Sequence, residues 1–479
     1  MAKHQPNILF LLTDYHRFDA LGCHGAPTCR TPAIDEIAST GMRFTNAYTP
    51  TALCSPARGS LLTGLYPHHH GQLANTTDFN SVFDTQILDK TGYPELMRDA
   101  GYDVSYVGKW DLPREGDTEH WGFNQWHSYK DWLDGLRGEG SDHDFARDEV
   151  QRLEWGPGAP FCGRSTLPAD KMRDAWTARM VSELLESHAG SDRPFMVFSG
   201  FWGPHFPYAV PAPYDTMYDP ADVARWGNFD EPFTNKPLIQ QKELLRWNCS
   251  HLTWPDWQKV IATYWGYCTF IDDQIRKILD CLKATHLADN TIIIYSTDHG
   301  AMLGSHRLFN LGMHMYDETY HIPLVVSWPG VTRRASVCDS FVSLVDLMPT
   351  ILEMGGAQVP REIDGRSLGG FLRGDAMEGW PDDVYAEFHG YESALCTSRM
   401  VRTKSWKYIY NPCSHDELYD MASDPFELNN VANQLAYKHV LRRMKDRLVR
   451  WLRRTDDTIV QEDSWKTNAY DLYVSKREQ

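Results

Sequence analysis

Two heptapeptides, Asn7–Thr13 (NILFLLT) and Thr291–Thr297 (TIIIYST), constrain this chain more than any other feature. Both are almost continuously apolar, as expected of strands covered on two faces rather than strands alternating between core and water. A third run at 195–199 (FMVFS) repeats the pattern. Such strands belong to largely parallel sheets flanked by helices, and the apolar runs alternate with helical patterns, so the expected class is α/β. The first run ends at Asp14 and the second at Asp298-His299-Gly300. Polar groups at the carboxyl ends of such strands meet in the crevice where open α/β sheets bind ligands.

At 479 residues the chain exceeds what one core usually supports, which predicts a large domain with a smaller appendage. Hydrophobic residues make up 42% of it, with 17 Trp and 23 Tyr, enough core material to exclude a disordered chain. Thr31, Pro32 and Gly41 punctuate one helix as cap, first-turn residue and stop, and a longer helix is expected over 257–284. Past residue 370 the texture changes to short β-like runs at 384–388, 399–403 and 406–410, then a basic amphipathic helix over 440–454. The reading is a catalytic domain over 1–370 and a small α+β domain over 371–479. Leu441, Met444, Leu448 and Trp451 fit the packed face of that last helix better than a membrane surface.

The 47 basic residues stand against 64 acidic ones, a formal net charge of −17 that repels nucleic-acid phosphates, so no nucleic-acid partner is expected. The opening Met-Ala-Lys-His-Gln-Pro leads into an apolar run too short to span a bilayer and without a small-residue cleavage site. The expectation is a cytoplasmic protein without membrane contact. Ten Cys with no CxxC pair argue against a zinc ribbon or a disulfide scaffold.

The most informative segment is Cys54-Ser-Pro-Ala-Arg58-Gly-Ser-Leu-Leu-Thr-Gly64. Pro56 suits the first turn of a helix that Gly64 would end, which places Cys54 at a helix N-terminus. A Cys there gains thiolate character; the alternative is a buried structural thiol. The segment resembles the signature of the type I, formylglycine-dependent sulfatases, in which this Cys is oxidised to Cα-formylglycine. Further landmarks are similar and in the same order: Pro6-Asn7-Ile8-Leu9 through Asp14, Gly108-Lys109-Trp110, Gly203-Pro204-His205, Thr297-Asp298-His299-Gly300, Met315-Tyr316-Asp317-Glu318 and Glu417-Leu418-Tyr419-Asp420. The resemblance spans most of the chain. It implies the alkaline phosphatase-like fold, with a large mixed, mostly parallel sheet flanked by helices and a small C-terminal α+β domain.

It also implies hydrolysis of a sulfate monoester to alcohol and sulfate. An aldehyde at position 54 hydrates to a diol, one hydroxyl of which can attack sulfur; loss of the other proton re-forms the aldehyde and expels sulfate. By the same resemblance Asp14, Cys54, Asp298 and His299 surround one divalent cation, Ca²⁺ before Mn²⁺, while Arg58 and Lys109 hold the formylglycine and the sulfate and His205 contacts the leaving oxygen. The implied partners are a formylglycine-generating enzyme during maturation and a sulfated small molecule or saccharide as substrate. The alternative is a phosphonate monoester or phosphodiester hydrolase of the same superfamily. Lys109 speaks against it, since that added cation suits a sulfate pocket. A non-catalytic relative would lack the nucleophile, the arginine or the acids, and this chain has all of them.

Three positions depart from the family pattern. Tyr15 follows Asp14 where many relatives have a second acid, Asp111 stands where a His is common, and Leu311 where a second sulfate-binding Lys is common; nearby His314 is the candidate replacement. The Trp-rich stretch 121–155 and the insertion 220–257 are expected as pocket walls, with a satellite core as the other reading. His68, His69 and His70 are read as surface or supporting residues rather than a metal tag.

Overall fold

The computed structural model describes residues 5–26, 28–76, 90–138, 151–152, 160–391, 396–412, 414–457 and 459. The main sheet has eight strands: β1 Asn7–Thr13, β2 Met42–Tyr48, β3 Asp103–Gly108, β4 Gln125–Ser128, β5 Phe195–Gly200, β6 Thr291–Thr297, β7 His321–Ser327 and β8 Ser336–Ser343. Their order is β8-β2-β7-β6-β1-β5-β3-β4. All neighbours run parallel except β7, which is antiparallel to both β2 and β6. β1 is central and sends Leu9 and Leu11 into the core on one face, and Ile8, Phe10 and Leu12 into the core on the other. Its unbroken apolar sequence follows from burial on both faces.

Helices α1 Pro32–Thr40, α2 Cys54–Thr63, α3 Arg173–Ser187, α4 Leu238–Arg246 and α5 Trp254–Ala284 belong to this domain. The N-terminal amides of α1 are satisfied by Asp272 of α5, whose carboxylate accepts from Ala33 and Ile34 at 2.8 and 2.9 Å. Thr31 occupies the cap position but its hydroxyl is turned to Gly22 and Asp35. α5 begins three residues earlier than the apolar period suggests, because Thr253 and Asp256 close a capping box ahead of it.

A second, antiparallel sheet follows, with β9 Asp383–Phe388, β10 Ser398–Thr403, β11 Trp406–Tyr410 and β12 Glu417–Asp420 in sequential order. α6, Lys438–Arg454, packs Val440, Met444, Leu448 and Leu452 on this sheet, with Leu441 and Trp451 partly buried against the same cluster. No helix among the described residues is long and apolar enough to cross a membrane. Of the Trp-rich stretch, Trp121 packs with Tyr106, Trp110 and Phe123 in the main core cluster that also holds Ile8, Phe10 and Leu12 of β1, and Trp126 is partly buried against it. Residues 139–150 and 153–155 of that stretch lie outside the described residues.

Candidate active site

Strand register builds the site. Thr13 pairs with Thr297, so Asp14 and Asp298 leave the sheet side by side. Leu12 and Gly108 both pair with Gly200, which brings Lys109 and the 201–205 loop to the same level. Gly200 must be a glycine: a Cβ there would lie 2.5 Å from the Lys109 carbonyl oxygen.

Opposite these strand ends stands α2, every residue of which is buried. Cys54 is its first residue, and Gly64 ends it in the left-handed conformation (φ 69°). Arg58 lies one turn on, on the same face as Cys54. The Cys54 sulfur is 3.2 Å from His299 Nε2 and 3.9 Å from Asp14 Oδ1. His299 Nε2 is in turn 3.7 Å from Asp14 Oδ1 and 3.8 Å from Asp298 Oδ1. The ring's Nδ1 lies 3.0 Å from the Gly300 carbonyl, so with its proton there the Nε2 lone pair faces the other three groups. Two carboxylates, an imidazole and residue 54, with ligand atoms all within 4.8 Å of one another, fit one small divalent cation.

Two cations balance the acids. Arg58 donates from Nε to Asp298 Oδ2 (2.8 Å), from Nη1 to the Lys109 carbonyl (2.7 Å) and from Nη2 to Asp14 Oδ2 (3.4 Å). The Lys109 ammonium bonds to Asp14 Oδ2 and lies 3.3 Å from Asp111. Burial opposes ionisation of Asp14, yet Lys109, His205, His299 and Arg58 together hold it well below the usual carboxylate range. Burial and the Asp14 charge push Asp298 up. The thiolate expected of Cys54 is not what the site favours: burial and then Asp14 raise the thiol well above its ordinary value. A helix N-terminus is outweighed here by a low-dielectric, acid-lined setting.

His205 is pushed down to about 3, by burial first and then by Lys109, so the ring is neutral at pH 7. Its Nδ1 bonds to the Phe206 carbonyl. Tyr15 sits edge-on to both His205 and His299, with ring centroids 4.3 and 4.6 Å away. Tyr264 of α5 holds this turn by donating to the Tyr15 carbonyl and accepting from the Arg17 amide, both at 2.8 Å. An aromatic ring, not a second carboxylate, thus follows Asp14 beside the candidate metal ligands. Leu311 is buried in the cluster that contains Tyr15 and Cys54. From the insertion 220–257, Trp247 packs on Phe206, beside His205.

The structure does not bring His314 to this centre. Its buried ring stacks near Tyr316 at 5.4 Å, and burial followed by the nearby His306 and Lys407 push it down to about 3. Tyr316 in turn stacks on His306 at 3.8 Å and lies near Tyr419 at 6.5 Å. The three histidines do not form a surface run either. His70 bonds Ser60 of α2 at 3.0 Å, and His69 bonds Asp364 at 2.8 Å. His68 bridges Glu387 (2.6 Å) and the Thr455 carbonyl (2.8 Å). His68, Glu387 and Asp457 also cluster at metal-like spacing, but both His68 nitrogens are engaged, which makes this an ion pair. Two further residues shape the site without a signal in the sequence. Asp174 accepts from the amides of Trp202 and Gly203 at 2.8 and 3.1 Å, and Trp202 stands 5.2 Å from the His205 ring.

A helix-start cysteine facing acids at the ends of parallel strands, with a small antiparallel domain behind it, defines an ester hydrolase of alkaline phosphatase-like architecture. The sulfatase family model matches residues 6–357, and the chain belongs to that family of sulfuric ester hydrolases. A second model, N-sulphoglucosamine sulphohydrolase, C-terminal, matches residues 304–454. The chain is 28% identical to the uncharacterized sulfatase YidJ of Escherichia coli over 475 residues, covering 95% of this chain and 88% of that one. It is also 28% identical to an N-acetylglucosamine-6-O-sulfatase of Bacteroides thetaiotaomicron, covering 90% and 84%. Among solved structures, the phosphonate monoester hydrolase SpPMH of Silicibacter pomeroyi superposes with a TM-score of 0.79 at 26% identity, covering 95% and 97%.

Proposed function

We propose that this chain hydrolyses a sulfate monoester of a sulfated saccharide to the alcohol and inorganic sulfate. The observation that carries the reading is the placement of Cys54 against Asp14, Asp298 and His299, with Arg58 and Lys109 within reach of the same acids. Asp14, Asp298, His299 and residue 54 would hold one divalent cation, Ca²⁺ before Mn²⁺. That cation and a formylglycine made from Cys54 by a formylglycine-generating enzyme would supply Lewis acidity and the nucleophilic hydroxyl.

The chain's own residues do the remainder. Arg58 fixes both carboxylates and the Lys109 backbone in one arrangement. The Lys109 ammonium offsets charge building on the transferring group. His205 Nε2 has no hydrogen-bond partner among the described residues. It can take up a proton once an anionic substrate counters the Lys109 charge, then pass it to the leaving oxygen. The name of the Bacteroides relative supports a sugar substrate.

The second reading, a phosphonate monoester or phosphodiester hydrolase, is favoured by the likeness to SpPMH and by the single acid before Tyr15. Relative kcat/KM on 4-nitrophenyl sulfate and a phenyl phosphonate ester decides between them; a preference for the phosphonate would overturn the sulfatase reading. Sulfated sugars, aryl sulfates and choline sulfate then rank the substrates.

A further inference from the structure

One cation beside the reacting centre has guanidinium donors with no acceptor among the described residues. Arg173 is the first residue of α3, half-buried, and its guanidinium carbon lies 4.0 Å from the centroid of the Trp202 ring and 5.8 Å from that of Trp132. Among the described residues its guanidinium makes no ion pair and no hydrogen bond. The acid next in sequence feels its charge, but the Asp174 oxygens accept from the Trp202 and Gly203 amides and from the Tyr267 hydroxyl (2.9 Å), which leaves the guanidinium donors without an acceptor among the described residues. In a chain with a net charge of −17, a guanidinium beside an active site whose donors find no acceptor among the described residues suits an anion from outside.

The position is fixed and close to the chemistry. Asp174 ties the start of α3 to the loop that carries Trp202 and His205. The Trp202 indole also has the Lys109 ammonium 4.8 Å from its centroid, so one ring is flanked by a catalytic cation and by Arg173. The Trp202 Nε1–H is buried and has no hydrogen-bond partner among the described residues. A guanidinium stacked on an indole keeps the N–H donors at its edge free for bidentate binding of a carboxylate or sulfate. The N-terminal amides of the 15-residue α3 add positive potential at the same place.

We infer that Arg173 and Trp202 form an anion subsite beside the reacting centre, which binds a second negatively charged group of the substrate, a carboxylate or a second sulfate. The preferred substrates are then doubly charged saccharides. Naming a saccharide rests on the function proposed above; the subsite itself does not.

The test uses the metal-loaded Cys54→Ala protein, which retains ligands without turning them over. Calorimetry would give Kd for N-acetylglucosamine 6-sulfate, for glucosamine N,6-disulfate and for a 6-sulfated disaccharide carrying a uronate carboxylate. Adding Arg173→Gln should weaken at least one doubly charged ligand by roughly 10- to 100-fold, and the singly charged ligand less than about twofold. Arg173→Lys should recover part of the loss. Whichever doubly charged ligand responds identifies the recognised group. Equal weakening of all three, no weakening of any, or no tighter binding of doubly charged ligands before the substitution would overturn the inference. Turnover of 4-nitrophenyl sulfate by the wild-type enzyme scores the sulfatase reading separately.

Discussion

Replacing Lys109 by Met tests the charge balance of the site, because it keeps the aliphatic stem beside Trp202 and removes one positive charge. As found, Asp14 and Asp298 are opposed by Arg58 and Lys109, with Asp111 at the rim. Two unit charges about 4 Å apart at an effective dielectric near 20 interact by about 4 kcal/mol. Removing one member of a buried pair typically costs 3–5 kcal/mol of stability. The variant should therefore be less stable by roughly 3 kcal/mol when metal-free. It should also bind a divalent cation more tightly, by about tenfold or more, because a like charge beside that cation is gone. Turnover should nevertheless fall by roughly 10²–10³, the usual loss for one electrostatic donor. Denaturant titration, competition with a chelator of known affinity and steady-state kinetics measure the three quantities. Metal affinity that falls together with activity, or turnover close to wild type, would refute the assignment of Lys109 to the transferring group rather than to the integrity of the metal site.

Cys54→Ala should fold and bind substrate but not turn it over, and co-expression with a formylglycine-generating enzyme should lower the intact mass of the wild-type chain by about 18 Da, the difference between thiol and aldehyde. Gly200→Ala should destabilise the protein by on the order of 2–3 kcal/mol by thermal or chemical melting, and reduce activity with it, since the new Cβ meets the Lys109 carbonyl that Arg58 holds. His68 is raised to about 9: burial opposes its charge and Glu387 outweighs that burial. Its contribution, up to ~3 kcal/mol, is complete below its ordinary value of 6.5 and disappears as pH rises through 9, so His68→Gln should flatten the decline of stability between those limits.

Much of the fold was legible because burial on both faces leaves little ambiguity in a short apolar run. β1 and β6 begin and end at the residues their composition marks, and α2 ends at Gly64 as expected. What escaped depends on partners far along the chain. Thr31 has every local attribute of a cap, but the carboxylate that satisfies α1 is Asp272, about 240 residues away in sequence and adjacent only once α5 has packed. Asp174 likewise reads as an ordinary first-turn acid; its bonds to Trp202 and Gly203 exist only through the tertiary fold.

The site divides along the same line. Asp14, Asp298 and His299 could be placed because a residue following a strand end inherits its position from the register, which the backbone fixes, whereas Lys109 entered through the family resemblance. Position fixed in that way says little about charge state. A helix start favours a thiolate at Cys54, but how much that is worth depends on what lies opposite, and what lies opposite is Asp14 in a dry setting. Nor does backbone position fix where a loop side chain points, so His314, three residues past Leu311, turns to Tyr316. Asp14 concentrates the consequence: its Oδ2 is shared by Lys109 and Arg58, and Arg58 also holds the Lys109 carbonyl. The three groups respond as one unit, so the effects of substituting them will not add.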